Sequence, residues 1–217
     1  GGPQGVFLKR ASGGLTLDPA AGFPRLRRVR PEEGRLYYAK AFVHPLVAAP
    51  LVALLGTRGL LLANGVLLSA ALWLAFVVLQ RRGMGPWAAL GIAAALFLLT
   101  VTPLYLVWPT PEILGLALIT AGLAAWATGR PLLAAVLFGI AGYVKPPNVL
   151  MAAPLGLDPL LPRDGGRLVG PGLGRRLGET LRRGAVLVLT AASLYGLNAA
   201  FTGELNYQGG ERKTFYG

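Results

Sequence analysis

The sequence predicts an all-α fold, a polytopic transmembrane helical bundle with an interfacial helix. Of the 217 residues, 54% are hydrophobic and only 14% charged, against roughly 25% charged in an ordinary soluble domain. A water-facing surface built from this composition would have too few charges to stay solvated. The mean hydropathy of +0.56 also excludes disorder, which requires low hydrophobicity. Finally, the apolar residues are gathered into uncharged runs bounded by Arg, Pro and Gly, which is the pattern of membrane segments.

Composition narrows the chemistry. There is no cysteine, so disulfides and thiolate metal sites are impossible. A single histidine, His44, argues against a zinc site or a Ser-His-Asp triad. The net charge of +12 would suggest nucleic acid in a soluble protein. In a membrane protein, basic loops facing anionic lipid phosphates are the simpler partner, and no nucleic acid is expected.

Taken in order, residues 1–41 are polar and mixed, with a basic run (Arg25, Arg27, Arg28, Arg30) and the pair Tyr37-Tyr38. Residues 42–55 are apolar but too short for a span of roughly 20 residues and contain Pro45 and Pro50, so they predict an interfacial helix. Residues 59–80 form a full span closed by Arg81-Arg82-Gly83, and 86–108 a second one ending at Trp108. Pro109-Thr110-Pro111 predicts a tight turn. Shorter apolar segments follow at 113–128, 131–144 and 149–161, then a Gly- and Arg-rich loop at 163–183, a last span at 184–201 and a polar tail. The expected organisation is an outer-face loop and interfacial helix over 1–57, a transmembrane bundle over 58–202 with the basic cytoplasmic loop 163–183, and the start of a further outer loop over 203–217. The chain begins Gly-Gly-Pro without methionine and ends Thr-Phe-Tyr-Gly, which reads as a fragment of a longer protein.

The segments of 14–16 residues are too short to cross alone as ideal helices, and such helices are tolerated where they enclose a cavity. Residues 109–150 are therefore expected to surround a site. Small residues at 93–95, 121–125 and 134–135 would allow close helix approach. Counting Lys and Arg on alternate sides gives nine on the side of Arg81, Arg82, Arg130 and 163–183, against three with Lys145, Arg212 and Lys213. The positive-inside rule places the first set in the cytoplasm.

The outer face then collects Tyr38, Lys40, His44, Trp108, Glu112, Lys145 and Asn148. Acid, lysine and aromatics on one membrane surface suit a lipid-phosphate substrate: lysines pair with phosphate, aromatics stack on sugars, and a carboxylate acts as general base or holds a divalent cation. Glu112, the sole charge between Arg82 and Arg130, is the candidate catalytic residue. The plainer reading of Glu112 is a first-turn acid complementing the helix dipole. The plainer reading of Lys40 and Lys145 is a snorkelling interfacial lysine, and of His44 a packed or capping histidine. Asp158 is expected as a cap or a partner of Arg163, and the arginines of 163–183 as topology determinants and anionic-lipid contacts.

The order of several motifs resembles the GT-C superfamily of membrane glycosyltransferases, which includes dolichyl-phosphate-mannose protein mannosyltransferases and the lipid A aminoarabinose transferase. Tyr37-Tyr38-Ala39-Lys40 leads into the interfacial segment and His44-Pro45-Leu46. The run 49–56 precedes the first full span. Pro109-Thr110-Pro111-Glu112 opens a short helix, and Gly139-Ile140-Ala141-Gly142-Tyr143-Val144-Lys145 precedes a returning segment. Together these cover residues 35–205. The resemblance implies a polyprenyl-phosphate-linked sugar donor, transfer on the outer face with inversion at the sugar carbon, and an integral, multi-pass protein of a bacterial inner (plasma) membrane. It implies lipid-phosphate or substrate contacts for Lys40, Lys145, His44 and Tyr38, and an assisting role for Glu112 at the acceptor or a divalent cation. The family's principal carboxylate lies in a first outer loop for which Asp18, Glu32 and Glu33 are no motif match, so the chain alone is expected to be inactive. Two other classes stay open: a transporter or channel subunit, and a non-catalytic membrane scaffold.

Overall fold

The computed structural model describes residues 26–28, 36–38, 41–108, 110–161, 172–202 and 205. The described chain is helical, with eight α-helices: α1 (Val43–Leu55), α2 (Arg58–Arg81), α3 (Pro86–Leu98), α4 (Leu104–Val107), α5 (Glu112–Ala127), α6 (Pro131–Val144), α7 (Ala153–Leu157) and α8 (Leu173–Thr202). A 3-10 segment, Pro146–Ala152, joins α6 to α7. The all-α expectation needs one addition, a short antiparallel ladder between β1 (Leu26–Arg28) and β2 (Leu36–Tyr38), with Arg27 opposite Tyr37. The sequence signal for it was present: Tyr37-Tyr38 favours strand, and Pro31 and Gly34 between the two runs are turn formers.

Two helices, α2 and α8, are long and apolar enough to cross a membrane. In the core of a soluble protein such helices would be mostly covered, yet only 22% and 6% of their apolar windows are buried within the protein. Their flanks, and those of α3, leave large side chains such as Trp73, Trp87, Leu96 and Leu189 exposed. An apolar surface this extensive is costly in water. The 24 residues of α2 span about 36 Å. The 30-residue α8 is longer than a hydrocarbon core of about 30 Å requires. Its first turns carry Arg175, Arg176, Glu179, Arg182 and Arg183 and its remainder is apolar, so the expected span 184–201 is the apolar part of a longer helix. Residues 173–183, expected as loop, are helical.

Glycine ends two helices at the arginine-rich end. Gly83 (φ 87°) and Gly129 (φ 77°) adopt the left-handed conformation. The amides of Gly83 and Met84 return to Gln80 and Leu79, and those of Gly129 and Arg130 to Trp126 and Ala125. Both are Schellman caps, which absorb the last carbonyls of α2 and α5.

Around these caps the helices pack in a row, α3 against α2, α2 against α5, α5 against α6 and α6 against α8, with α1 on α2. Small residues make the approaches possible. The ring of Phe138 sits 3.1 Å from where a Cβ on Gly122 would lie, and the Leu187 carbonyl 2.7 Å from the corresponding point on Gly139. A Cβ on Gly59 would run into the Leu51 backbone, fixing α1 on α2. Ala93, Ala134 and Ala135 are fully buried. Accordingly α6 is the inner helix, with Phe138, Tyr143 and Val144 enclosed.

Two expected segments differ. The span 86–108 is broken after α3. Pro103 has no amide to donate, and Thr100 takes over locally, its hydroxyl accepting the Thr102 amide (3.3 Å) and meeting the Thr102 hydroxyl (2.9 Å). The returning segment 149–161 is no continuous helix. Pro146, Pro147 and Pro154 remove three donors, and the chain instead returns as the 3-10 segment and α7. Those twelve residues reach about 21 Å, the length of α6 beside them.

Candidate functional site

Two clusters of polar side chains mark opposite ends of the bundle. At the first, Pro111 opens α5 and Glu112 stands at its first helical position. Pro146 and Pro147 end α6 just past Lys145. These proline-fixed termini bring the two charges together: Lys145 Nζ lies 2.7 Å from Glu112 Oε1. The lysine is 44% exposed and the glutamate 18%, so one face of the ammonium stays open while the carboxylate is largely sheltered. Glu112 Oε2 is buried with no partner at bonding distance among the described residues.

Glu112 precedes the apolar part of α5. Burial pushes its carboxyl up, but the hydrogen bond from Lys145, weaker contributions from Thr110 and the backbone, and the Lys145 charge outweigh that and hold it below its ordinary value. Asn148 braces the lysine's turn. Its Nδ2 donates to the Ala141 carbonyl (3.1 Å), which also accepts the Lys145 amide. A Cβ on Gly115 would lie 3.0 Å from that Nδ2, so glycine at this position lets the 3-10 segment approach α5 one turn below Glu112.

The turn before Glu112 is anchored by a residue that the sequence reading passed over. Asn64 of α2 is fully buried. Its Nδ2 donates to the carbonyls of Tyr105 (3.1 Å) and Trp108 (3.3 Å), and its Oδ1 lies 3.2 Å from His44 Nε2. His44 is thereby enclosed between α1 and α2, 5% exposed. It links the two helices, the packed position of its plainer reading. The signal for Asn64 was legible, since an amide in an apolar run needs a partner inside the bundle. Asn198 of α8 repeats the pattern, accepting from the Tyr143 hydroxyl at 3.4 Å. Around that pair, the Tyr143 ring packs on Phe42 and Tyr195 at 5.3 and 5.0 Å.

Lys40 lies outside the described residues, and Tyr38 is placed only as part of β2. Among the described residues no three His, Asp or Glu side chains converge, and the Lys145 ammonium lies beside the Glu112 carboxylate.

At the second end Arg82, Gly129, Asp158 and Arg183 border one cleft. Asp158 meets Arg183, Oδ2 to Nη1 at 3.0 Å; Arg163, its expected partner, lies outside the described residues. Comparison with family models, curated proteins and solved structures finds no match.

Proposed function

We propose that this is a polytopic, GT-C-like membrane transferase, moving a sugar from a polyprenyl-phosphate-linked donor to an acceptor at the Glu112–Lys145 end. The ion pair carries the reading. A lysine held at a helix end with one face open offers a point charge to a lipid phosphate. A carboxylate with one bare, sheltered oxygen offers an acceptor hydroxyl somewhere to donate. In such a transfer the acceptor oxygen attacks the sugar's anomeric carbon, the bond from that carbon to the phosphate oxygen breaks, the phosphate leaves on the lipid, and the hydroxyl proton passes to the released phosphate. Glu112, kept ionised below its usual range, is a weak base. Its position suits orienting the hydroxyl, and Lys145 suits the charge developing on the departing phosphate.

The multi-pass arrangement is supported by the apolar flanks and by the placement of charge. Every Asp, Glu, Lys and Arg of the described helices and the turns between them falls at one end of the row of helices or the other, while the faces between are apolar. A transporter would be expected to keep ionisable groups near mid-depth.

The test is sugar transfer from a synthetic polyprenyl-phosphate sugar, measured in membranes carrying the full-length gene product. Glu112→Gln and Lys145→Ala are each expected to lower turnover about a hundredfold or more, with expression and thermal stability retained. Near-normal turnover in both would leave the pair a helix-end brace and end the transferase reading.

A further inference from the structure

We infer that the cleft at the arginine-rich end is a binding site for the phosphate headgroup of an anionic phospholipid, separate from the Glu112–Lys145 end. The cleft has a volume of about 400 Å³ and is lined by Arg82, Trp126, Pro131, Asp158 and Arg183, among others. Three features fit it to an anion that comes with an apolar tail.

The first is the unequal state of the two helix ends that meet there. The final carbonyls of α5 are consumed by the amides of Thr128, Gly129 and Arg130. The first amides of α6, beginning at Pro131, have no preceding turn to serve, the Ala134 amide being the first to find a carbonyl behind it, that of Arg130. The backbone at the cleft therefore leaves few free acceptors, and the unserved amides of Leu132 and Leu133 follow directly on its Pro131 wall.

The second is a fixed guanidinium. Arg183 is 11% exposed and clamped by the Leu155 carbonyl (3.1 Å) and Asp158 (3.0 Å) through Nη1. Its buried Nε has no partner among the described residues. Asp158 neutralises part of this charge and holds it in place. Arg82, exposed at the C-terminus of α2, supplies the uncompensated positive charge. The third feature is Trp126, half-buried on the cleft wall, an indole of the kind that sits at headgroup level beside acyl chains.

A free phosphate would use the arginines and the amides. A phospholipid would also use Trp126 and the apolar flanks that continue from the cleft. The inference rests on the protein's lying in a bilayer and is independent of sugar transfer.

The experiment uses a variant keeping Trp126 as the single tryptophan, with Trp73, Trp87 and Trp108 replaced by Phe, in nanodiscs. Indole quenching is titrated with brominated phosphatidylglycerol against brominated phosphatidylcholine in an unlabelled phosphatidylcholine background. Phosphatidylglycerol is expected to quench at lower mole fraction. Arg82→Ala is expected to weaken that preference about fivefold, while Arg82→Lys keeps most of it. Arg175→Ala, an exposed arginine of the same end outside the cleft lining, is expected to leave it unchanged. Equal quenching by both lipids would overturn the inference. So would an equal loss in Arg175→Ala, which would mean diffuse surface attraction. Full displacement by millimolar inorganic phosphate would assign the cleft to a small anion instead.

Discussion

Gly139→Ala tests the closest approach in the bundle. A methyl at Gly139 would lie 2.7 Å from the Leu187 carbonyl oxygen and 2.8 Å from Thr190 Cβ, where ordinary contact begins near 3.4 Å. Neither neighbour can rotate away, since one is backbone and the other is fixed to it, so α6 and α8 must part by roughly 0.7 Å. Overpacking of this kind costs about 2–3 kcal/mol. Alanine recovers about 1 kcal/mol of helix propensity, leaving a net loss of ~1–2 kcal/mol. Gly65→Ala supplies the opposite sign. It is also helical, but nothing lies within 4 Å of the added carbon, so it should gain about 0.4–1 kcal/mol. Tryptophan fluorescence during denaturation in mixed micelles reads both. Equal effects of the two substitutions, or a stabilised Gly139→Ala, would refute the α6–α8 packing described above.

Three further expectations are open to measurement. Asn64→Leu removes the amide and leaves His44 and two carbonyls unserved, with an expected loss of about 2 kcal/mol or more in the same unfolding assay; no change would mean that Asn64 does not tie α2 to the turn before Glu112. The Glu112–Lys145 pair should contribute stability that is fully present above Glu112's ordinary value of 4.5 and is lost as pH falls through its lowered folded value. Because Lys145 is partly exposed the effect should be small, and Glu112→Gln should abolish it; an unchanged acid profile in that variant would remove Glu112 as the source. Single cysteines at Thr110 and Arg130 should react with impermeant reagents from opposite sides of sealed vesicles, and labelling from one side would exclude the alternating arrangement.

Helix identity was legible where apolar runs were closed by charge or glycine. The residues of 59–80 and 131–144 became α2 and α6 with little displacement because Arg81-Arg82-Gly83 and Lys145-Pro146 are unambiguous stops. The break at 99–103 was not legible from hydropathy. Thr100, Thr102 and Pro103 are tolerated in apolar segments, and what matters there is a local exchange of hydrogen bonds that no average over a window records. Likewise 149–161 has span-like composition, but Pro146 and Pro147 just before it and Pro154 within it remove helical donors, and the chain begins as a 3-10 turn. The Glu112–Lys145 contact could be anticipated because two consecutive helices joined by a short turn run antiparallel, which puts the start of α5 and the end of α6 on one side. His44 could not be placed from sequence, since its position depends on Asn64 twenty residues away and on α1 folding back over α2.

The two ends of the bundle now differ in kind, and the difference bears on orientation. The described residues of one end carry seven arginines against Asp158 and Glu179, and those of the other carry Arg58 and Lys145 against Glu112. On the proposed multi-pass reading, the positive-inside rule assigns the arginine-rich caps and the first turns of α8 to the cytoplasmic face. On the same reading the nearly balanced end, where one lysine is matched to one glutamate, faces the other side. A neutral pair also imposes little long-range field, so a lipid phosphate arriving at Lys145 must compete with Glu112 for the ammonium rather than be steered from afar. Affinity for a phosphate at that end should therefore rise when Glu112 is replaced by Gln, even as turnover falls. A simple loss of an anchoring contact would lower both.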